Sequence, residues 1–240
     1  MRQYKRGLFP KLLFMRRLTM TIAAISLANC HDAQEVLTQE YFESNYVRYS
    51  VDGFYYDVPV GYLWFESIKA GRWGSVTRDR IDTTILAIEA RLPNFSPYSI
   101  DDAKYFDGRL GHGEIARIRL ESRDLAKYPF AQIFERWKSS GELVTSLESS
   151  DKLGLQFYKR FRRPETYLEI YTRPESEIAN MDFWIECHPE GSVPSPSCTL
   201  YDYRGTGVHA IESVFAYQYL PMWRDIRENS SQLMKSFAVE

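Results

Sequence analysis

Apolar and polar residues alternate on both sides of Asp52-Gly53 in "YVRYSVDGFYYDVPVGYLWFE", and this period of two predicts a pair of strands. Asp-Gly tolerates positive φ, so the two should meet in a two-residue hairpin turn. The same alternation predicts half-buried strands over "TTILAIEARLP" (Thr83 to Pro93) and "EIARIRLES" (Glu114 to Ser122). After Pro129 the period changes. Phe130, Ile133, Phe134 and Trp137 fall at helical spacing, and Gly141 closes that helix. Further strand patterns cover 154–161, 166–172, 182–188, 198–203 and 208–217. A final amphipathic helix is expected to open at Pro221 and to bury Trp223, Ile226, Leu233, Met234 and Phe237. Asp225 near its start and Lys235 near its end both suit the helix dipole. Runs of strands, each closed by one helix, predict an α+β fold with antiparallel or mixed sheets backed by amphipathic helices. Residues 45–145 and 146–240 are expected as two related lobes or as one continuous domain.

Upstream of the hairpin the pattern is different. Leu18 to Ala28 form one short apolar run, too short to cross a bilayer as a helix and of signal-peptide length. Arg2, Lys5, Arg6, Lys11, Arg16 and Arg17 precede it without an acidic residue, the positive flank that keeps an N-terminus cytoplasmic. Leu27-Ala28-Asn29-Cys30 then resembles a bacterial lipobox, in which the cysteine receives a diacylglycerol and becomes the mature N-terminus. Asn29 stands where that pattern has Gly, Ala or Ser. Residues 1–30 are thus expected as an export signal with Cys30 as the lipidation site, and 31–44 as a tether running into a short helix. The competing reading, an amphipathic first helix with Cys30 in its core, lacks a polar face at helical spacing.

Two cysteines remain, in "ECHPEGSVPSPSCTL". Three prolines, a glycine and three serines between Cys187 and Cys198 read as a turn-rich loop bounded by strands. A disulfide there would contribute about 2–3 kcal/mol by constraining the unfolded chain, and it needs an oxidising compartment such as the periplasm. Cys187, His188 and Cys198 as metal ligands match no zinc spacing and lack a fourth donor. Net charge is −2 and becomes more negative once the basic leader is removed, which argues against nucleic acid. Aromatics make up 15% of the chain, a share that suits strands and recognition surfaces alike.

The search for catalytic chemistry yields little. No G-x-S-x-G elbow is present, and Ser75, Ser192 and Ser213 have no strand-turn-helix context. "GRLGHGEIAR" offers His112 and Glu114 for acid–base work, but reads more simply as a hairpin loop. "YRGTGVH" lacks the third glycine of a dinucleotide fingerprint. Asp101, Asp102 and Asp107 do not have EF-hand spacing. No cofactor, no metal and no enzymatic activity are expected. What stands out is a set of aromatic and basic residues in loops: Arg72, Trp73, Arg78, Arg80, Tyr98, Arg162 and Arg163. Trp, Tyr and Arg anchor protein interfaces because they join large desolvatable area to directional hydrogen bonds. Arg72, Trp73, Arg78, Arg80 and Tyr98 are taken as the candidate partner-binding residues.

"FYYDVPVGYLWFE", "ILAIEARLPNFSPYS" and "CTLYDYRGTGVHAIESVFAYQYLPMWRDIRENSSQLMKSF" resemble segments of small bacterial envelope lipoproteins encoded beside type VI secretion effectors. Such neighbours act as immunity proteins, several of them against periplasmic phospholipases or other envelope-directed toxins. The resemblance implies a periplasmic, lipid-anchored protein that neutralises a cognate secreted effector by direct binding. It assigns no toxin-binding residues. An envelope lipoprotein that scaffolds or chaperones a secretion or cell-wall assembly shares every compartment signal and is the alternative.

Overall fold

A computed structural model of the chain describes residues 38–63, 80–106, 113–122, 130–145, 153–163, 166–174, 177, 180–204 and 209–239. All of them fall in one compact unit, Val36–Glu240. The expected leader, Cys30, Arg72, Trp73, Arg78 and His112 lie outside the described residues.

The hairpin forms where the alternation places it. Strand β1 (Tyr46–Val51) pairs antiparallel with β2 (Phe54–Pro59), from Tyr46 opposite Pro59 to Val51 opposite Phe54. Asp52 (φ 50°) and Gly53 (φ 84°) turn the chain between them. Positive φ at both positions gives the turn whose twist matches that of the flanking strands. A short helix α1 (Gln39–Ser44) precedes the hairpin, its first turn capped by the Thr38 hydroxyl, which accepts from the Tyr41 N–H. β3 (Ile81–Thr83) lies parallel to β1, and β12 (Ala238–Val239) lies antiparallel to β2. The result is a four-stranded mixed sheet in the order β12-β2-β1-β3.

The second sheet is wholly antiparallel. It contains β4 (Ile85–Arg91), β5 (Ile115–Ser122), β6 (Leu143–Thr145), β7 (Gln156–Arg163) and β8 (Thr166–Thr172). β9 (Phe183–Cys187), β10 (Ser197–Asp202) and β11 (His209–Ala216) complete it, in the order β4-β5-β11-β10-β9-β8-β7-β6. Both sheets draw strands from either side of residue 145, because β5 pairs with β11 and β12 returns to β2. With helices α1, α2 (Phe130–Ser139) and α3 (Trp223–Phe237), the described residues make an α+β fold without a closed barrel.

Each face of the large sheet has its own cover. On one face Leu86, Ile118, Ile185, Leu200 and Phe215 meet Val47 and Val58 of the small sheet and Ile226 and Met234 of α3. On the other face α2 packs Phe130, Phe134 and Trp137, one turn apart, against Tyr158, Ile170 and Trp184. The Phe130 and Trp184 rings stack with centroids 4.2 Å apart. Burying each such side chain contributes about 1.5–3 kcal/mol, which is why α2 holds its place though only ten residues long. The sequence places the start of the last helix at Pro221. Instead, a 3₁₀ segment, Tyr217–Met222, leads out of β11 and contains Pro221, whose ring-fixed φ suits it; the α-helix proper begins at Trp223.

Helix α3 also carries a charge into the interior. Arg227, 6% exposed, donates to Asp182 at 2.7 Å and to Asp202 at 2.9 Å, and its guanidinium lies 4.2 Å from the centre of the Phe183 ring. Asp202 is 1% exposed and also accepts from the Arg204 side chain at 3.2 Å and the Arg204 N–H at 3.1 Å. Burial alone would raise the Asp202 carboxyl, but hydrogen bonds from Arg227 and Arg204 outweigh it and hold the group below its ordinary value. This network locks the last helix to the β9–β10 end of the sheet.

Candidate partner-binding surface

The outward positions of the hairpin form the exposed face that the core leaves over. Val47, Tyr49, Tyr56 and Val58 point inward and are buried, so their neighbours in sequence must point outward. Those neighbours are Tyr46, Arg48, Ser50, Tyr55 and Asp57, of which Ser50 alone is buried. Tyr46 is 56% exposed and Tyr55 40%. Val239 of β12, opposite Tyr55 in register, is also exposed. Phe54 at the turn is 49% exposed, and Ile85, Ile100 and Val144 are the other exposed large apolar side chains among the described residues. Exposed aromatic area is therefore concentrated on the four-stranded sheet.

Two arginine–carboxylate forks frame it. Arg48 grips Asp57 through Nε at 2.7 Å and Nη2 at 2.6 Å, opposite it in register. Arg80, immediately before β3, grips Asp82 through Nε at 3.0 Å and Nη2 at 3.1 Å. Asp57, and to a lesser extent the Tyr46 and Tyr55 phenols, raise the Arg48 guanidinium above its ordinary value. Asp82, and after it Tyr55, do the same for Arg80. Both arginines therefore stay charged, each held by the carboxylate it grips. A flat face of Tyr, Arg and one Val offers desolvatable area and fixed donors, the combination that makes interface anchors.

The scaffold beneath is pinned in two places. His209, fully buried at the start of β11, meets the Phe54 ring edge-on at 5.3 Å, and its Nε2 lies 3.7 Å from the Asp52 carboxylate. Burial lowers the His209 imidazole below its ordinary value, and Asp52 offsets this in part. At the other end of the large sheet, Cys187 and Cys198 are joined in a disulfide directly across β9 and β10, both residues fully buried.

Of the expected partner-binding residues, Arg80 lies on the small-sheet face. Tyr98 does not. It is 6% exposed and packs against Phe42 at 4.7 Å and Phe106 at 5.3 Å, a core position with no surface to offer. Its polar-looking "SPYS" setting hides the fact that the loop is folded inward, with the Tyr98 N–H donating to the Gly61 carbonyl at 2.7 Å. Arg162 is exposed and contacts Glu186 at 3.4 Å, on the large sheet. Glu114 is engaged with Arg91, so it is not a free base. No group of three or more potential metal ligands occurs among the described residues. Sequence reasoning missed Tyr46, Arg48, Tyr55 and Val239. The hairpin has aromatic residues on both faces, so alternation alone could not say which tyrosines face outward.

At the level of sequence, no family profile matches the chain and no curated protein does. Solved structures do share its fold. The chain is similar to Smlt3025, an immunity protein of the Stenotrophomonas maltophilia type IV secretion system. That match has a TM-score of 0.53 at 12% identity, over 82% of this chain and 94% of that one. It is also similar to FrpD, the iron-regulated outer membrane lipoprotein of Neisseria meningitidis. Here the TM-score is 0.50 at 12% identity, over 83% of this chain and 94% of that one. At such identity the likeness speaks for the fold, not for the residues on it.

Proposed function

We propose that the chain is an immunity protein of the bacterial envelope that neutralises a secreted antibacterial effector by binding it. The observation that carries this reading is the fold shared with a secretion-system immunity protein over most of both chains. The export-type leader, the periplasm-compatible disulfide and the exposed tyrosine–arginine face support it. In this reading Cys30 is the lipid anchor and holds the protein at the membrane where an envelope-attacking effector, such as a phospholipase, acts. The gene neighbourhood implied by the sequence resemblance makes type VI machinery the delivery route. No cofactor enters: inhibition needs a rigid surface that covers the effector's working parts. A dissociation constant near 1 nM corresponds to about −12 kcal/mol, within reach of an interface of about 1,600 Å² with a few desolvated anchors.

The test is genetic. Cells lacking this gene should be killed by sister cells that still carry the secretion system, and a plasmid copy should protect them; survival of the deletion strain overturns the proposal. A second reading has an observation of its own. The likeness to an outer membrane lipoprotein favours an envelope lipoprotein that scaffolds or chaperones an assembly. Affinity capture from envelope extracts separates the two, because that reading requires cell-wall or outer-membrane machinery in the eluate and no effector.

A further inference from the structure

The end of β4 opens into a cleft of about 230 Å³, bounded by Leu92, Pro93, Asn94, Ser96, Glu114 and Tyr219 and floored by Arg91. Its walls are fixed by backbone. Arg91 and Ser96 exchange N–H···O bonds at 2.8 and 3.2 Å, and the Leu92 N–H donates to the Glu114 carbonyl at 2.7 Å. The Tyr62 hydroxyl donates to the Phe95 carbonyl at 3.2 Å, and Phe95 itself is buried. The 92–98 loop is therefore a built wall rather than a surface strand of chance shape.

The cleft's charge is set by what Arg91 already does. Its Nη1 donates to Asp102 at 2.6 Å, its Nε and Nη2 both reach Glu114 Oε2 at 2.9 Å, and its face lies 3.7 Å from the Tyr105 ring centre. One guanidinium against two carboxylates leaves a net charge of −1, counting +1 for Arg91 and −1 each for Asp102 and Glu114. An anion would find no free cation among the described residues that line the cleft. Glu114 takes both guanidinium bonds on one oxygen, which leaves Oε1 to accept from elsewhere. Tyr219 lines the same cleft. After burial, the charge of Glu114 does most to raise that phenol, and the opposing effect of Arg91 is smaller.

We infer that this cleft is a socket for an arginine or lysine side chain presented by the protein's partner. The volume suits one long side chain. Its methylene stem would lie along the Pro93 and Tyr219 rings, and its cationic head would reach Glu114 Oε1 with the Asn94 and Ser96 oxygens beside it. A hard cation would find one carboxylate oxygen and two neutral oxygens here, well short of the six to eight that calcium takes. The partner in question is the effector of the proposed function, so the socket's role rests on that reading, but its chemistry can be tested without it.

In the first arm, the full mature chain is titrated with N-acetyl-arginine methylamide and with its neutral citrulline counterpart, followed by amide NMR. The arginine probe should shift the Asn94, Ser96 and Glu114 amides with saturation, the citrulline probe should not, and Glu114→Gln should weaken the response at least tenfold. Because Glu114→Gln also touches Arg91, Asn94→Trp, which fills the cleft from its rim, should abolish the response independently. Equal shifts from both probes, or none at these residues, overturn the socket. In the second arm, the effector encoded beside the gene is bound to wild type and to Asn94→Trp. A loss of at least tenfold in affinity supports the socket as a partner contact, and equal affinity overturns that role while leaving the immunity reading intact. An effector that binds neither form sinks the immunity reading, and the probe titration then decides the socket by itself.

Discussion

Replacing Arg227 tests how the last helix is held to the sheet. The guanidinium is 6% exposed and holds two carboxylates, one of them Asp202 at 1% exposure. Removing one partner of a buried pair typically costs about 3–5 kcal/mol, because the other charge stays buried without compensation. Arg204 still reaches Asp202 at 3.2 Å, and its backbone N–H still donates, so the lower end of that range applies. Arg227→Met keeps the apolar stem over Phe183 and removes only the charge; we expect it to cost about 3 kcal/mol. For a domain of this size that is a drop in Tm of about 6–12 °C. Arg227→Ala should cost somewhat more, through the lost contact with Phe183. The assay is guanidinium unfolding of wild type, Arg227→Met, Asp202→Asn and the double variant, with unchanged slopes taken as evidence of an unchanged denatured state. The double variant should be more stable than the sum of the singles predicts, by about 1–3 kcal/mol. A cost below 1 kcal/mol for Arg227→Met, or strict additivity with Asp202→Asn, would refute the reasoning that this network fastens α3.

Further outcomes follow from the same structure. Replacing Cys187 and Cys198 by Ser, or reducing them, should lower stability by about 3 kcal/mol, as expected for a bridge between residues 11 apart in sequence; no change would mean that the bond is not formed in the native protein. Tyr55→Ala with Arg80→Ala should weaken effector binding at least tenfold, about 1.4 kcal/mol, and leave stability within about 0.5 kcal/mol of wild type, whereas unchanged affinity removes the small-sheet face from the interface. Trp73→Ala with Arg78→Ala, in the segment that leads into Arg80, should act in the same direction by calorimetry. Because burial lowers the folded-state pKa of His209, the unfolded chain takes up its proton first as pH falls; stability should be full above about 6.5 and decline below it. His209→Asn should flatten that decline below about pH 6.5, and a curve parallel to wild type would contradict it. Asp202 acts further down. Its depressed pKa contributes stability above the ordinary carboxylate value that is lost as pH falls through the lower folded one.

Local chemistry made most of the elements legible before any coordinates. Asp52-Gly53 dictates a turn that needs positive φ twice, and the observed angles supply it. Thr166–Thr172, rich in β-branched and aromatic residues, is β8 end to end. Phe130, Phe134 and Trp137 give α2 away because one apolar stripe at helical spacing has no other use. Long-range pairing was not legible. Nothing in residues 115–122 names β11 as their neighbour, and the two residues of β12 are too few to show a period. Arg227 reads as one more charge on an amphipathic helix, since its two carboxylate partners are 25 and 45 residues away in sequence. Tyr98 looked like a loop aromatic because the sequence does not record which way a loop folds. The candidate face was half-visible: Arg80 was picked out by composition, but its companions Tyr46, Arg48 and Tyr55 were hidden in a strand pair rich in aromatics on both sides.

In the proposed role this chain works by gripping a secreted effector. The direct measurement is a calorimetric titration of the purified mature chain with the proposed effector, sought among the genes adjoining its own, run beside an assay of that effector's activity. Saturable binding with a dissociation constant near or below about 1 nM is expected, with activity falling in step with occupancy. Absence of heat and undiminished activity at micromolar concentrations of both proteins would contradict it.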